Sequence, residues 1–359
     1  MLLTIEDSDT GARHMSAAAF PGETSAAYPG WRVLLAAVIG LAFSPGPMIF
    51  GSLGLFAPHL AQDFGWNRGS IMLSLTFFNV AGVLASPFTG TLIDRIGVRR
   101  VLFPSLVALL LGFVALSTIG GSLPLFYALA FVWGGLTVGT QSISYTKLIT
   151  GWFLRRRGLA VGIAAAGLGL GYTLVPLIVG RLLAHMDWRH AMLALAGLIV
   201  VLPILVNALL SHPNPAVRVV GGTDQTGLSV KQARATPAFR YMAAAIFFAS
   251  AALTGVVPHI SLLALDRGMT TGQAASIAAT YGLSTIIGRV IVGALADRFF
   301  VPRVAMTFFG LSGIGFILAA VLGGSGSVGV LMLVALTIGL GFGAESDVIA
   351  LFITRYFGQ

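Results

Sequence analysis

The sequence predicts an all-α membrane protein made of two like repeats of six helices, the second incomplete. Three observations carry this expectation: an apolar composition, ten runs of membrane-crossing length, and an internal match between the two halves of the chain. Hydrophobic residues make up 57% of the 359 positions and charged residues 9%, against roughly 45–50% and about 25% in an ordinary soluble domain. Twelve acidic and 21 basic side chains cannot coat a water-facing surface of this size. The formal charge of +9 sits in short clusters between apolar runs and not on a polar domain, so it reads as a topological signal and not as a nucleic-acid surface. The absence of cysteine excludes disulfides, thiolate metal sites and cysteine nucleophiles.

A bilayer core of about 30 Å takes about 20 helical residues at 1.5 Å each. Apolar runs near that length fall at 32–57, 69–93, 101–120, 123–145, 158–181, 188–210, 238–263, 273–296, 303–322 and 328–354. With both termini on one side, Arg13, Arg32, Arg95, Arg99, Arg100, Lys147, Arg155, Arg156, Arg157, Arg218, Lys231, Arg234, Arg240, Arg298, Arg303 and Arg355 share that side. The other side has Arg68, Arg181, Arg189 and Arg267, and Arg289 lies inside a span. Basic residues are retained in the cytoplasm, so a multi-pass plasma-membrane protein with both termini cytoplasmic is expected.

Residues 1–30 are polar with no signal-peptide pattern, and read as a disordered cytoplasmic tail. Residues 31–210 form an N-terminal six-helix bundle. The connection 211–237 carries Pro213, Pro215, Gly221, Gly222 and Gly227 and reads as a flexible cytoplasmic linker. Residues 238–359 form a partial C-terminal bundle of helices seven to ten.

The two blocks repeat. Gly90-Thr91-Leu92-Ile93-Asp94-Arg95 follows span two, and Gly293-Ala294-Leu295-Ala296-Asp297-Arg298 follows span eight, an offset of 293 − 90 = 203. Gly135, Gly139, Thr150 and Phe153 fall on Gly339, Gly343, Thr354 and Phe357 at an offset of 204. Equivalent spans therefore run in the same direction. The first block ends near Leu210, so its partner is expected to end near 210 + 203 = 413, two helices beyond Gln359. The plainer alternative is a ten-helix protein.

These residues resemble the major facilitator superfamily. Gly90-x-Leu92-x-Asp94-Arg95-x-Gly97-x-Arg99-Arg100 is similar to its loop signature between helices two and three, and the resemblance covers about residues 31–359. Three stretches are most similar to monocarboxylate-porter and oxalate/formate-type members: 152–162, Val257-Pro258-His259 in span seven, and Ile287-Gly288-Arg289 in span eight. The resemblance implies the major facilitator fold, truncated after the tenth helix, and a gating role for Gly90, Asp94, Arg95, Gly97, Arg99 and, in the second copy, Asp297 and Arg298. Two features depart from the animal monocarboxylate porters. Gly51-Ser52 stands where they have lysine next to serine, and Thr285 where they have aspartate. Phe300 also replaces, in the second loop signature, the glycine that Gly97 supplies in the first.

Arg289 is the sharpest single candidate for substrate binding. A charge near mid-membrane costs about 2.5–3.5 kcal/mol even on lenient scales. Its planar fork suits a carboxylate, so it is either an anion anchor in a hydrated cavity or an ion-pair partner of Glu345 or Asp347. Glu345 and Asp347 are two residues apart on a helix and cannot line one cavity together. Glu345 is equivalent to Gln141; either carboxylate is a candidate proton carrier, and the alternative is that Glu345 packs helices and Asp347 makes a cytoplasmic-side contact. Polar stripes at helical spacing run through Thr76, Asn79, Val83 and Ser86 in span two and through Thr137, Gln141 and Ser144 in span four. Such stripes line pores or hold helices together, and Asn79 and Gln141 are the costly members. Pro45-Gly46-Pro47 must break span one at the midplane, where broken helices mark transporter sites. His259 is a lone histidine, a ligand or a structural group. Gly90 is expected to permit close helix approach. Asp94 is expected to face a helix N-terminus of the opposite block, the eleventh helix in the family.

The leading expectation is a secondary transporter of a small organic anion, a monocarboxylate before others, working by alternating access with proton symport as an addition. Export of hydrophobic or cationic compounds is the alternative within transport, and a non-transporting sensor or inactive fragment is the alternative outside it. No phosphate-cradling loop, metal-ligand cluster or HExxH pattern is present, so neither enzyme chemistry, cofactor, metal nor nucleic acid is expected; the partners are an anionic solute, protons and the lipid bilayer.

Overall fold

A computed structural model describes residues 22, 23, 25, 28–214, 236–296, 299–322 and 327–357. Those residues are mostly helical, with no strand among them. In chain order the helices are α1 (Gly30–Ala42), α2 (Leu53–Phe64), α3 (Arg68–Ile96), α4 (Val98–Ser117), α5 (Leu123–Leu136), α6 (Ser142–Thr150) and α7 (Arg157–His185). They continue as α8 (Trp188–Ile199), α9 (Leu205–Leu210), α10 (Pro237–Asp266), α11 (Thr271–Ala296), α12 (Val301–Leu322) and α13 (Val328–Phe357). Grouped by crossing, they make ten spans. Among the described residues nine are long and apolar enough to cross a membrane, and the tenth, span four, has only the shorter apolar helix α5 because it is broken. Spans one, four and six are each assembled from two helices around a short irregular turn.

Turns set the hairpins. Gly65 adopts a left-handed φ of +68°, closing α2, and Asn67 then caps α3 by accepting the Ser70 N–H at 2.7 Å. Gly97 holds φ +92° between α3 and α4, a conformation that a side chain would strain, which explains the glycine in the loop motif.

The spans pack through small residues, as expected where lipid supplies no hydrophobic drive between helices. Span five meets span one at Gly167 and Gly171, where an added Cβ would lie 2.4 Å from the Val38 carbonyl oxygen and 2.0 Å from that of Ala42. The two blocks pack alike. Gly134 in span four rests on the Phe78 backbone of span two, and Gly339 in span ten rests on the Tyr281 backbone of span eight. Gly139 faces Ser105 in span three, and Gly341 faces Ser312 in span nine.

Contacts between the blocks are graded along the membrane normal. Span five touches span eight through Gly169 against Ile286 and through Gly282 against Thr173. Toward the face that carries Arg68 and Arg267, Gly54 lies against the Pro258 carbonyl and Ser261, Gly180 lies against Ala275, and Arg68 is ion-paired with Asp266. Toward the arginine-rich face, Gly158, Gly162 and Gly293 have no neighbour within 4 Å of an added Cβ. Contacts of span one with seven, two with seven and five with eight thus join the blocks toward the Arg68 face.

Part of the expected tail is fixed. Glu23 is buried, and its carboxylate accepts backbone N–H groups from Leu154, Arg155 and Arg156 at 2.9–3.2 Å. The Tyr28 hydroxyl donates to the Trp152 carbonyl at 2.5 Å, and its ring meets Phe153 edge-on. The free N–H groups ahead of α7 make an anion cradle, and Glu23 fills it. The start of the expected linker docks beside it: Trp152 Nε1 donates to the His212 carbonyl at 2.6 Å and Asn214 Nδ2 to that of Gly151 at 3.1 Å. Residues 1–21 and 215–235 lie outside the described residues.

Candidate functional site

Two broken helices meet at one cavity. In span one, Pro45 and Pro47 cannot donate hydrogen bonds, so the carbonyls one turn earlier lose their partners. Ser44 repairs one of them: both its N–H (3.2 Å) and its hydroxyl (2.8 Å) donate to the Leu41 carbonyl. The chain then widens into a π turn over Gly46–Phe50, with Gly51 N–H reaching Gly46 O at 3.2 Å, before α2 resumes. The expected break at Pro45, Gly46 and Pro47 is therefore present; Pro45 and Gly46 line the cavity, and Pro47 packs toward Gly171.

Span four breaks without a proline. The Thr137 hydroxyl and N–H both donate to Trp133 O (2.8 and 3.1 Å), Val138–Thr140 tighten into a 3-10 turn, and Gln141 is extended with ψ 179°. Gly139 lets this turn sit against Ser105. The break separates the residues of the expected stripe: Thr137 and Ser144 are buried, and Gln141 alone is exposed.

The cavity between the breaks is about 200 Å³ and is lined by Ser44, Pro45 and Gly46 from span one, Gln141 and Ser142 from span four, Asn79, Tyr172 and Thr254. A second cavity of about 300 Å³ shares Phe50, Asn79 and Thr254 and adds Thr76, Pro258 and His259. Asn79, Gln141 and His259, singled out from sequence, thus border adjoining spaces, with Thr254 supplied by the second block. Val83 and Ser86 of the span-two stripe line neither cavity, and Ser86 donates to Gly82 O at 2.8 Å.

Arg289 and Glu345 form a separate centre. Arg289 is 8% exposed on α11. At Gly343, α13 comes so close to α11 that an added Cβ would lie 2.1 Å from Thr285 O and 3.0 Å from the Arg289 backbone nitrogen. Two residues on, Glu345 accepts a hydrogen bond from the Ser250 hydroxyl of span seven and stands within Coulombic reach of Arg289. The Asp347 side chain lies outside the described residues.

Tyr172 joins the two centres. It lines the first cavity, its hydroxyl rests on Gly46, and Glu345 acts on it electrostatically. Its ring packs at 87° against both Tyr281 (5.9 Å) and Phe342 (5.7 Å) of the second block. Sequence reasoning missed this aromatic partition. No sequence signal singled it out, since an aromatic residue also follows glycine directly at Trp31, Trp66, Phe113, Trp152 and Phe316.

The loop motif differs from expectation at two positions. Asp94 is ion-paired at 2.6 Å with Lys147 of its own block, and the same ammonium reaches Gly90 O at 3.4 Å. An added Cβ at Gly90 would meet only Ile143 at 3.6 Å, an ordinary contact, so no close helix approach depends on that glycine among the described residues. Arg99 donates to Ala208 O at 3.2 Å and lies over the Phe103 ring, and Arg95 lines a basic pocket with it. Asp297 and Arg298 lie outside the described residues.

Comparison with known proteins follows the same lines. Residues 39–359 match the model of the Major Facilitator Superfamily. The chain is 30% identical over 338 residues to human monocarboxylate transporter 11, covering 89% of this chain and 69% of that protein. It is 31% identical over 172 residues to mouse monocarboxylate transporter 6, covering 47% of this chain and 36% of that protein. It is 24% identical to the aspyridones efflux protein apdF of Emericella nidulans, covering 66% of this chain and 46% of that protein. The chain thus spans between about a third and about two thirds of the length of these relatives. A match over nearly the whole multi-pass helical part leaves one conclusion: the chain belongs to the major facilitator superfamily of membrane transporters.

Proposed function

We propose that the protein carries a small organic anion, a monocarboxylate first among candidates, by alternating access coupled to a proton. One observation carries the reading: two broken helices open onto a space lined from both blocks, and the Tyr172 in its wall feels Glu345, which stands within Coulombic reach of the buried Arg289. Freed backbone groups and the amides of Asn79 and Gln141 can orient a carboxylate, and Thr254 contributes from the other block. Arg289 supplies the charge. In this reading an ionised Glu345 balances the guanidinium, and when Glu345 takes a proton the guanidinium is released to a substrate carboxylate. Proton and anion then bind as a neutral pair, which lowers the cost of carrying either through the membrane core.

Residues 31–210 and 238–359 act as the rocking bodies, and 211–237 as their tether. With basic loops cytoplasmic, the block contacts at Gly54, Arg68 and Gly180 fall toward the outer side, which supports reading this state as closed outward. Similarity to the two monocarboxylate transporters supports the substrate class. Export of apolar compounds is the second reading, favoured by Phe50, Phe78 and Leu168 in the cavity wall.

The test is uptake of labelled carboxylates by the purified protein in liposomes, with and without an inward proton gradient. Removing one charge-assisted contact costs about 1.5–3 kcal/mol, so Arg289→Ala is expected to weaken saturable uptake about 10- to 150-fold. Glu345→Gln is expected to transport without response to the gradient. Unchanged anion uptake in folded Arg289→Ala removes Arg289 from the mechanism, and flux of cations with none of anions selects export.

A further inference from the structure

We propose a binding site for an anionic phospholipid on the outside of the first block, its headgroup in a basic pocket at the arginine-rich face and one acyl chain in the apolar groove beneath. The pocket, about 690 Å³, is lined by Arg95, Arg99, Arg100 and Lys147 with a single carboxylate, Asp94. Lys147 neutralises Asp94 at 2.6 Å, which leaves three guanidinium groups for an outside anion. Arg99 has one Nη engaged with Ala208 O and keeps further donors. The start of the linker, Pro213 and Asn214, walls the pocket on another side. A phosphodiester offers oxygens in the geometry that planar guanidinium forks accept.

The second observation is independent of charge. A groove of about 680 Å³ runs along α4 and α5, and its apolar wall includes Val107, Leu111, Val132 and Leu136, all 44–57% exposed. Arg100 lines both the groove and the basic pocket, so the two spaces adjoin at that side chain. From Arg100 to Ala115 the groove follows α4 for about 22 Å, more than the ~15 Å depth of one leaflet's hydrocarbon. A charged mouth and an apolar bed of leaflet depth fit an amphiphile with a negative head. A free phosphate would use only the mouth, and a further segment of a longer chain would use only the bed.

The loop motif lies in the pocket wall, so a bound headgroup would sit against the Asp94–Lys147 pair that ties span two to span four. The experiment is native mass spectrometry of the purified chain titrated with phosphatidylglycerol or phosphatidylcholine. The expected result is retained phosphatidylglycerol in preference to phosphatidylcholine, with retention lowered about fivefold in Arg100→Gln, the contribution of one basic residue near a membrane surface. Arg100→Lys should keep most of the preference. Ala108→Trp, which fills the groove and leaves the charges intact, should weaken the long-chain lipid but not dihexanoyl phosphatidylglycerol, and it tests the site even where Arg100→Gln fails to fold. Equal retention of the two lipids overturns the proposal. So does full competition by inorganic phosphate with no effect of Ala108→Trp, which would mark a site for soluble anions, or an unchanged profile in both Arg100→Gln and Ala108→Trp.

Discussion

Gly343→Ala isolates the contact that positions Arg289. The added methyl would stand 2.1 Å from Thr285 O and 3.0 Å from the Arg289 nitrogen, both backbone atoms of α11 that no rotamer change can move. Reaching an ordinary 3.4 Å separation requires α13 to retreat from α11 by 3.4 − 2.1 = 1.3 Å. Overpacking of this kind costs about 1–3 kcal/mol. Gly293→Ala in the same helix pair is the control, because no atom lies within 4 Å of its added Cβ. There the substitution should gain up to about 1 kcal/mol of helix propensity. Both glycines are helical, so that gain is common to the two variants and they should differ by the overpacking cost alone, about 1–3 kcal/mol.

The assay is thermal unfolding in detergent, paired with carboxylate uptake. Gly343→Ala should melt lower than wild type and transport poorly even below its melting point, since Glu345 moves with α13 and Arg289 stays on α11. Gly293→Ala should melt at or above wild type with normal flux. If both variants unfold and transport alike, the close approach at Gly343 does not hold the Arg289–Glu345 centre, and that part of the reasoning is wrong.

Other perturbations separate the remaining elements. Burial pulls the Glu23 carboxyl upward, but the N–H groups of Leu154, Arg155 and Arg156 outweigh it and hold it below the usual value of 4.5. Its contribution is therefore complete above pH 4.5 and lost as pH falls through the lower folded value; fluorescence of Trp31 and Trp152 should report release on acidification in wild type and show none in Glu23→Gln, which is already loosened. Breaking the half-exposed Arg68–Asp266 pair with Asp266→Asn should shift the two blocks toward opening at that face by at most about fivefold, read as a spin-label distance across spans one and seven; the exchanged pair Arg68→Asp with Asp266→Arg should restore the distance, and no shift in either would remove the latch. Gln141 is exposed in the cavity, so Gln141→Ala should raise the KM for uptake about tenfold with an unchanged melting point, the cost of one hydrogen bond to a charged group; a lowered melting point with unchanged KM would make it a packing residue.

The spans were legible because lipid demands them. Ten apolar runs fall on ten crossings, since every backbone amide in the membrane must be satisfied within its own helix. The break in span one was legible for the same reason, as two prolines cannot complete that pattern. Its counterpart in span four was not. Nothing in Thr137-Val138-Gly139-Thr140-Gln141 forbids a helix; the break depends on the Thr137 and Thr140 hydroxyls taking backbone acceptors and on Gly139 resting against Ser105 of another span. Distant residues decide such a turn. The same holds for Asp94, whose partner Lys147 lies 53 positions away, and for Glu23, whose cradle becomes visible only when residues 154–156 are placed beside it. Composition reads residues 1–30 as solvent-facing because it counts polarity, and it cannot register that one carboxylate meets three unpartnered amides.

Tyr172 decides how the two centres can communicate. It belongs to the first block, yet its ring is packed against Tyr281 and Phe342 of the second, and Gly282 has no side chain so that the backbone at Tyr172 and Thr173 can touch α11. In the proposed alternating access, rocking of the blocks would slide or part these rings. The hydroxyl of Tyr172 meets the broken turn of span one at Gly46, and Glu345 acts on that same tyrosine from behind. In the proposed mechanism, a ring that parts from Tyr281 and Phe342 would open a way from the span-one cavity toward the Glu345 side, and a ring that returns would close it. Tyr172→Phe removes the hydroxyl and keeps the partition, so it should leave the Arg289-dependent affinity intact and change only the response to protons. Tyr172→Ala removes the partition and should make carboxylate binding to Arg289 independent of block position, which equilibrium binding in detergent would show as a single affinity with and without a cross-link between spans one and seven. Two distinct affinities in Tyr172→Ala would mean that block position itself, and not this ring, governs access to the arginine.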